Sequence, residues 1–89
     1  MADVPRLSEF YGILIYMYFG DHNPPHFHAF YAEHEALIAI TDGTMIHGEL
    51  PRTAARLVEQ WRLEHVTELT DNWTRAQVPA ELTPIEPLR

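Results

Sequence analysis

Two consecutive prolines, Pro24 and Pro25, place the strongest constraint on how this chain can fold. Neither residue can donate a backbone hydrogen bond, and both hold the backbone in an extended turn. The apolar run at residues 10–19 therefore predicts a strand that ends before the prolines, and strand composition resumes at residues 26–31. Because the first run is apolar on both faces, we expect that strand to be central in its sheet or part of an interface.

A second turn signal is the pair Asp42-Gly43, which follows the apolar run at residues 36–40. Asp-Gly between two apolar runs is typical of a two-residue type I′ hairpin. Such a turn predicts a register in which Ile40 lies opposite Met45. The same register predicts a cleaner apolar face for packing against helices, formed by Leu37, Ala39, Ile46 and Leu50.

Helical periodicity begins after Pro51, whose fixed φ suits the first turn of a helix. Apolar residues then recur every three or four positions, at Ala54, Leu57, Val58, Trp61, His65, Val66, Leu69, Trp73 and Ala76. The spacing predicts either one helix of about six turns or two helices broken near Glu64-His65.

The last part of the chain, residues 78–89, contains Pro79, Pro84 and Pro87, which predicts an extended proline-rich arm. The whole pattern predicts a single α+β domain over residues 1–89. We expect about four antiparallel strands within residues 10–50, a helical region at residues 51–77 and an extended tail at residues 78–89.

The amino-acid composition argues against several classes of function. The 89 residues carry 13 acidic and 6 basic side chains, a net charge of -7, and no cysteine. This balance argues against sequence-independent nucleic-acid binding by the isolated chain, and the lack of cysteine excludes disulfides and thiolate metal sites. Without a secretory signal or a membrane-spanning run, we expect a cytoplasmic protein with no membrane association.

Arg52 and Arg56 form a positive spot one helical turn apart in the predicted helix. One interpretation is a binding site for phosphate or for an acidic partner. The other is an ordinary solvated helix face.

The histidines near the Pro-Pro turn are the candidate site. His26 and His28 are two positions apart, so in a strand both imidazoles project from one face and can share a metal ion. His22 is the predicted third ligand, and the Asp21 carboxylate is the alternative. These donors suit zinc, manganese, iron or nickel, and an open coordination position would activate water.

Two other interpretations of these histidines stay open. In a structural role, a histidine beside the prolines caps the turn, and His28 is a buried imidazole bonded to a carbonyl. In a catalytic role without metal, His26 or His28 acts as a general acid or base with Asp21 as its orienting partner. The sequence leaves open whether the protein is an enzyme.

Four stretches together resemble a small bacterial family, the domain of unknown function 4160. They are Pro-Arg-Leu-Ser-Glu-Phe-Tyr-Gly-Ile at residues 5–13, Asp-His-Asn-Pro-Pro-His-Phe-His-Ala at residues 21–29, Leu-Pro at residues 50–51 and Ile-Glu-Pro-Leu at residues 85–88. The His-Asn-Pro-Pro-His-Phe-His string is the hallmark of that family. Ala32 departs from the pattern, which has a glycine in the turn after the second strand.

The resemblance implies a stand-alone protein, often encoded beside another short protein in an arrangement similar to toxin–antitoxin pairs. It marks the hallmark segment as the functional one, with His22, Asn23, Pro24, Pro25, His26 and His28 as its residues of interest. The first hypothesis is an interaction module that pairs with itself or with a small protein encoded nearby. The thin core of so short a chain, the first strand that is apolar on both faces and the proline-rich arm favour it. The alternative is a metal-dependent hydrolase or nuclease that uses His22, His26 and His28.

Overall fold

The computed structural model describes residues 6–89, which form an open five-stranded antiparallel sheet followed by two helices. The strands are neighbours in chain order: β1 (Arg6–Phe10), β2 (Ile13–Tyr16), β3 (His26–Tyr31), β4 (His34–Ala39) and β5 (Met45–Gly48). The helices are α1 (Arg52–Glu64) and α2 (Val66–Gln77). The α+β class is confirmed, but the strand count is five rather than about four, and the sheet begins at Arg6.

The additional strand arises because the predicted strand at residues 10–19 is broken by a tight turn at Tyr11 and Gly12. Both residues have positive φ, 50° and 79° respectively, as a type I′ hairpin requires. Phe10 pairs with Ile13 across this turn. Gly12 is a turn signal within this run, but tyrosine seldom adopts a left-handed backbone, so the composition as a whole favours a continuous strand.

The predicted register between β4 and β5 is wrong. Ile38 lies opposite Met45, and Leu37 lies opposite His47, with an irregularity between Leu37 and Ile38. The chain leaves the ladder after Ala39, and the backbone N–H of Gly43 donates to the carbonyl of Ala39. The loop is therefore longer than two residues, and the side-chain positions differ from those of a two-residue hairpin.

The core-facing side of the sheet consequently differs from the predicted one. The buried apolar residues of the strands and adjoining turns include Phe10, Ile13, Ile15, Met17, Phe27, Ala29, Ala36, Ile38 and Ile40. Ile46, which the predicted register placed in the apolar face, is exposed, and Leu37 is only half-buried. A bulge moves side chains to the opposite face, because strand residues alternate between the two faces.

The apolar residues that recur every three or four positions in the predicted helices, here called the helical stripe, pack on this core. Of the two arrangements predicted, the structure has two helices, with the break at His65. The buried side chains of the helices that the stripe predicted are Ala54, Val58, Trp61, Leu69, Trp73 and Ala76. The Trp61 ring joins the layers, since it contacts the rings of Phe10 and Phe27 at centroid distances of 5.4 and 5.7 Å. Within residues 6–89, neither helix has the length and apolar character that crossing a bilayer demands.

The segment after α2 contains neither helix nor strand and returns to the domain. Its Ile85 backbone N–H donates to the carbonyl of Leu7 in β1 at 2.8 Å. The side chain of Asn72 donates to the carbonyl of Thr83 at 2.8 Å and accepts from its N–H at 2.7 Å. These bonds fix the segment against the first strand and the last helix, with Ile85 buried in the core.

The opposite side of the sheet presents the other half of each strand's residues, because side chains alternate along a strand. We call this surface the second face; its residues are Leu14, Tyr16, His26, His28, Phe30, Glu35 and Leu37. Direct cross-strand pairs set their neighbours: His28 lies between Tyr16 of β2 and Leu37 of β4, and Phe30 pairs with Glu35.

Candidate metal centre

Asp21, His26 and His28 converge at one end of the second face. One ligand atom from each residue lies within 4.8 Å of the other two. The Nε2 atoms of His26 and His28 lie 3.0 and 3.2 Å from the same oxygen, Oδ2 of Asp21. Strand β3 projects both imidazoles to one side, as the two-residue spacing predicted, and the Pro-Pro turn returns Asp21 to the strand it precedes.

His26 is oriented by the turn itself. Its Nδ1 lies 2.8 Å from the carbonyl oxygen of Pro24, the residue that follows the cis Asn23–Pro24 peptide bond. A carbonyl can only accept, so Nδ1 carries a proton and donates it. The other ring nitrogen, Nε2, is left to face the carboxylate of Asp21.

With the proton on Nδ1, the contact between His26 Nε2 and the Asp21 carboxylate is unfavourable unless a positive charge is present. An ionised carboxylate accepts only, and with Nδ1 protonated a neutral imidazole presents a lone pair at Nε2. Two electron-rich atoms at 3.0 Å repel unless a cation lies on or between them. The cation is either a second ring proton or a metal ion.

His28 has a carboxylate at each ring nitrogen. Its Nε2 faces Asp21 Oδ2, and its Nδ1 lies 3.4 Å from Oε2 of Glu35 in β4. The neutral ring carries one proton, so it donates to only one of the two carboxylates at a time. When the proton is on Nδ1, toward Glu35, Nε2 is available as a ligand.

Asp21 is ionised at neutral pH. Burial alone raises the pKa of its carboxyl group, but the hydrogen bonds from His28 and from the backbone N–H of His22, with the nearby His26, outweigh burial and lower that pKa. The His22 N–H donates to Oδ1 at 2.9 Å, which leaves Oδ2 directed at the two imidazoles. The carboxyl group of Asp21 is thus held in its ionised form, which is the form that can accept a hydrogen bond or bind a cation.

Aromatic rings enclose the two histidines. The Tyr18 ring packs on His28 with centroids 4.3 Å apart, and the Trp73 ring of α2 packs on His26 at 5.3 Å. Both histidine side chains are more than nine-tenths buried, whereas 23% of the Asp21 side chain is exposed. Access to the three ligand atoms is therefore from the Asp21 side.

Tyr18 remains a neutral phenol beside this cluster. Burial is the main cause that raises its pKa, and the negative charges of Glu35 and Asp21 raise it further. A shallow apolar depression of about 410 Å³ continues from Tyr18 along the second face. Its lining residues are Leu14, Tyr16, Tyr18, Phe30 and Ala32.

The structure does not bring all of the predicted site residues together. His22 is exposed, and the cluster contains Asp21, the alternative third ligand, rather than the His22 ring. Asn23 and Pro24 are also exposed, and their neighbour Pro25 is half-buried. Of these turn residues, Pro24 contributes a direct contact to the cluster through its carbonyl oxygen.

Arg52 and Arg56 are exposed on α1, whereas the histidine cluster belongs to β3 and to the turn before it. Their role as a binding spot stays a prediction.

The sequence analysis did not identify three residues that contact the two histidines: Glu35, Tyr18 and Trp73. Glu35 reaches His28 only because β3 and β4 pair in a register that no local pattern encodes. Trp73 was recognised as part of the helical stripe, but its contact with His26 depends on how α2 packs over the end of the sheet. The aromatic character of residues 10–31 was the one available signal for Tyr18.

Fold and cluster together define a small α+β domain with a His-His-Asp centre at one end of an antiparallel sheet. A family model described as a domain of unknown function (DUF4160) matches residues 12–74, which is more than half of the chain. The chain therefore belongs to the DUF4160 family, as the resemblance predicted. Neither the curated proteins nor the solved structures yielded a match.

Proposed function

We propose that this protein binds one divalent transition-metal ion through Oδ2 of Asp21 and the Nε2 atoms of His26 and His28. The supporting observation is that both imidazole nitrogens face one carboxylate oxygen, at 3.0 and 3.2 Å. Donor atoms that share a metal at about 2.0–2.1 Å lie about 2.8–3.0 Å apart at adjacent octahedral positions and about 3.3–3.4 Å apart in tetrahedral geometry. The two nitrogen–oxygen separations fall within or between these values, and the three ligand atoms all lie within 4.8 Å of one another.

The surroundings of the three ligands support the same function. Metal-ligating histidines usually donate their second ring N–H to a carbonyl or a carboxylate. Here the carbonyl of Pro24 is such an acceptor for His26, and the carboxylate of Glu35 is one for His28. Two imidazoles and one carboxylate suit zinc or iron, and the set is compatible with manganese and nickel.

Three protein ligands leave coordination positions for water or substrate. A bound divalent ion would polarise a carbonyl or phosphoryl oxygen, or lower the pKa of a bound water. Metal-dependent hydrolysis, including nuclease activity, is the chemistry that this centre would supply. The neutral phenol of Tyr18 would be a hydrogen-bond donor beside it.

Metal binding is tested with protein purified without an affinity tag, stripped with chelator and then titrated separately with Zn²⁺, Mn²⁺ and anaerobic Fe²⁺. We expect one ion per chain by elemental analysis after dialysis. Asp21→Ala and His26→Ala should abolish binding, whereas His22→Ala and His34→Ala should keep full stoichiometry. A metal content far below one per chain with all three ions contradicts the proposal, and loss of binding in His22→Ala would assign the third ligand to His22.

An interaction role is the second candidate, because the second face and the adjacent edge strand expose apolar surface. Tyr16 and Phe30 are half-buried there, and all four residues of β5 are exposed, including Met45 and Ile46. Exposed apolar patches and unpaired strand edges are common docking surfaces. This observation supports self-association or pairing with a small protein encoded nearby, in the manner of a toxin–antitoxin-like pair.

Light scattering after size exclusion tests self-association, and co-expression with the product of the neighbouring gene tests pairing. We expect a complex that dissociates in Phe30→Asp, while the exposed control Thr74→Asp leaves it intact. A monomer at high concentration that also fails to copurify with the neighbouring product contradicts this role.

A further inference from the structure

We propose that Glu35 is a positioning residue of the metal centre and that it acts through His28 by holding the ring proton on Nδ1. The inference rests on the proposed metal-binding function and assigns a role to a residue outside the ligand set. The geometry that points to it is the position of Oε2, 3.4 Å from the ring nitrogen that faces away from Asp21.

His28 needs such a partner more than His26 does. For His26 the Pro24 carbonyl can only accept, so the tautomer with a free Nε2 is fixed by the backbone. For His28 the Asp21 carboxylate competes, because its Oδ2 accepts equally well from a proton on Nε2. A proton on Nε2 blocks ligation, and within residues 6–89 Glu35 is the residue that offers an acceptor to the other nitrogen, Nδ1.

The strand pairing holds Glu35 in place from its backbone. Glu35 lies directly opposite Phe30 in the ladder, one residue pair along β4 from the Ala29–Ala36 pair. Its carbonyl accepts from the N–H of Glu49 at 3.1 Å, and the same carbonyl packs against Gly48. The side chain itself is half-exposed, so substitutions there leave the backbone contacts intact.

The expected effect is on metal affinity rather than on stoichiometry. Loss of an acceptor behind a ligating histidine typically weakens metal binding by about 10–100-fold. Glu35→Ala should show a loss of this size for Zn²⁺, measured by competition with a chromophoric chelator. Glu35→Gln keeps a neutral acceptor oxygen and should fall between Glu35→Ala and the wild type. Glu33→Ala, an exposed carboxylate on the preceding turn, is the matched control and should bind as the wild type does.

A double-mutant cycle separates positioning from direct ligation. His28→Asn removes the ring but keeps a side-chain carbonyl oxygen as a weak ligand, so it should weaken Zn²⁺ binding without abolishing it. If Glu35 acts through His28, Glu35→Ala should change this residual affinity little. An equal loss in both backgrounds would make Glu35 an independent ligand and would overturn the proposal, as would wild-type affinity in Glu35→Ala. Failure of the metal-binding proposal looks different, because the wild-type protein itself would then bind no Zn²⁺. Circular dichroism and thermal unfolding of the metal-free variants should match the wild type.

Discussion

The indole ring of Trp73 in α2 lies against the imidazole of His26 in β3, with ring centroids 5.3 Å apart. This contact links the helical layer to the candidate metal centre, because the His26 ring also packs against the ring of His28. The helix therefore contributes to the position of the imidazole as well as to the core.

Trp73→Ala should lower the free energy of unfolding by about 3–5 kcal/mol, as removal of a buried aromatic side chain does. Urea unfolding of the metal-free protein measures it. Trp73→Phe keeps a ring and should cost less, so it provides a folded variant if the alanine protein does not fold. Val78→Ala, at a side chain 70% exposed, is the control and should stay within about 0.5 kcal/mol. A cost for Trp73→Ala no larger than that of the control would contradict the packing described here.

The second prediction concerns the ion pair between Glu59 and Arg62 in α1. Arg62 is buried; its Nε and Nη2 donate to the Glu59 carboxylate, and its Nη1 donates to the carbonyl of Ile40. The hydrogen bonds from Arg62 lower the pKa of Glu59 below its ordinary 4.5, although burial opposes them. A depressed folded pKa stabilises the fold above the unfolded value, and this contribution is lost as pH falls through the folded value.

Glu59→Gln should therefore destabilise the protein near pH 7, by about 1 kcal/mol because the carboxylate is partly exposed. The difference from the wild type should shrink toward zero as pH is lowered to an acidic value below the folded pKa of Glu59, where the carboxyl group is protonated in both states. Urea unfolding at both pH values gives the comparison, with the exposed Glu81→Gln as control. A difference that stays constant with pH would show that the charge of Glu59 contributes nothing.

The third prediction compares two glycines with similar backbones and different surroundings. Gly20 and Gly48 have φ of 69° and 73°, but a Cβ at Gly20 would meet nothing within 4 Å, whereas at Gly48 it would collide with the carbonyl of Glu35. Gly20→Ala should cost about 1–2 kcal/mol for the left-handed conformation alone. Gly48→Ala should cost clearly more, since the backbone of β4 must move. Equal costs in thermal unfolding would contradict the close approach.

The fourth prediction concerns Ala32, which has φ of 51° in the turn between β3 and β4. Ala32→Gly should stabilise the protein by about 0.5 kcal/mol, because relief of left-handed strain exceeds the added freedom of the unfolded chain. Ala55→Gly, inside α1, is the comparison of opposite sign and should cost about 1 kcal/mol. Chemical denaturation of both variants measures the two effects, and destabilisation by Ala32→Gly would refute the strain argument.

Periodic and local features of this chain were predictable. The helical stripe from Ala54 to Ala76 and the common side of His26 and His28 follow from repeat lengths of 3.6 and 2 residues. The turn at Tyr11 and Gly12 was harder to predict: the glycine favours a turn, but a tyrosine with positive φ opposes its own preference. The register of β4 and β5 was missed because the loop is longer than the two-residue hairpin that Asp42-Gly43 predicts, and because the ladder is irregular between Leu37 and Ile38.

The residues of the candidate site were likewise predictable only where they lie close together in the sequence. Asp21, His26 and His28 lie within one short segment, so spacing alone suggested the two histidine ligands and offered the carboxylate as an alternative. His22 and Asp21 are adjacent in sequence, and only the fold of the turn shows which of them faces the imidazoles. Glu35 belongs to another strand, and its role depends on cross-strand pairing that local sequence does not encode.

The bond between the Ile85 N–H and the Leu7 carbonyl joins residues from nearly opposite ends of the described chain. During synthesis the sheet and the first helix emerge from the ribosome before Ile85 does. The core position that Ile85 fills stays open to solvent until then, and so does the edge of β1 that its backbone caps. The nascent domain therefore completes its fold only once Ile85 has emerged, and until then the edge of β1 is open to pairing with other strands.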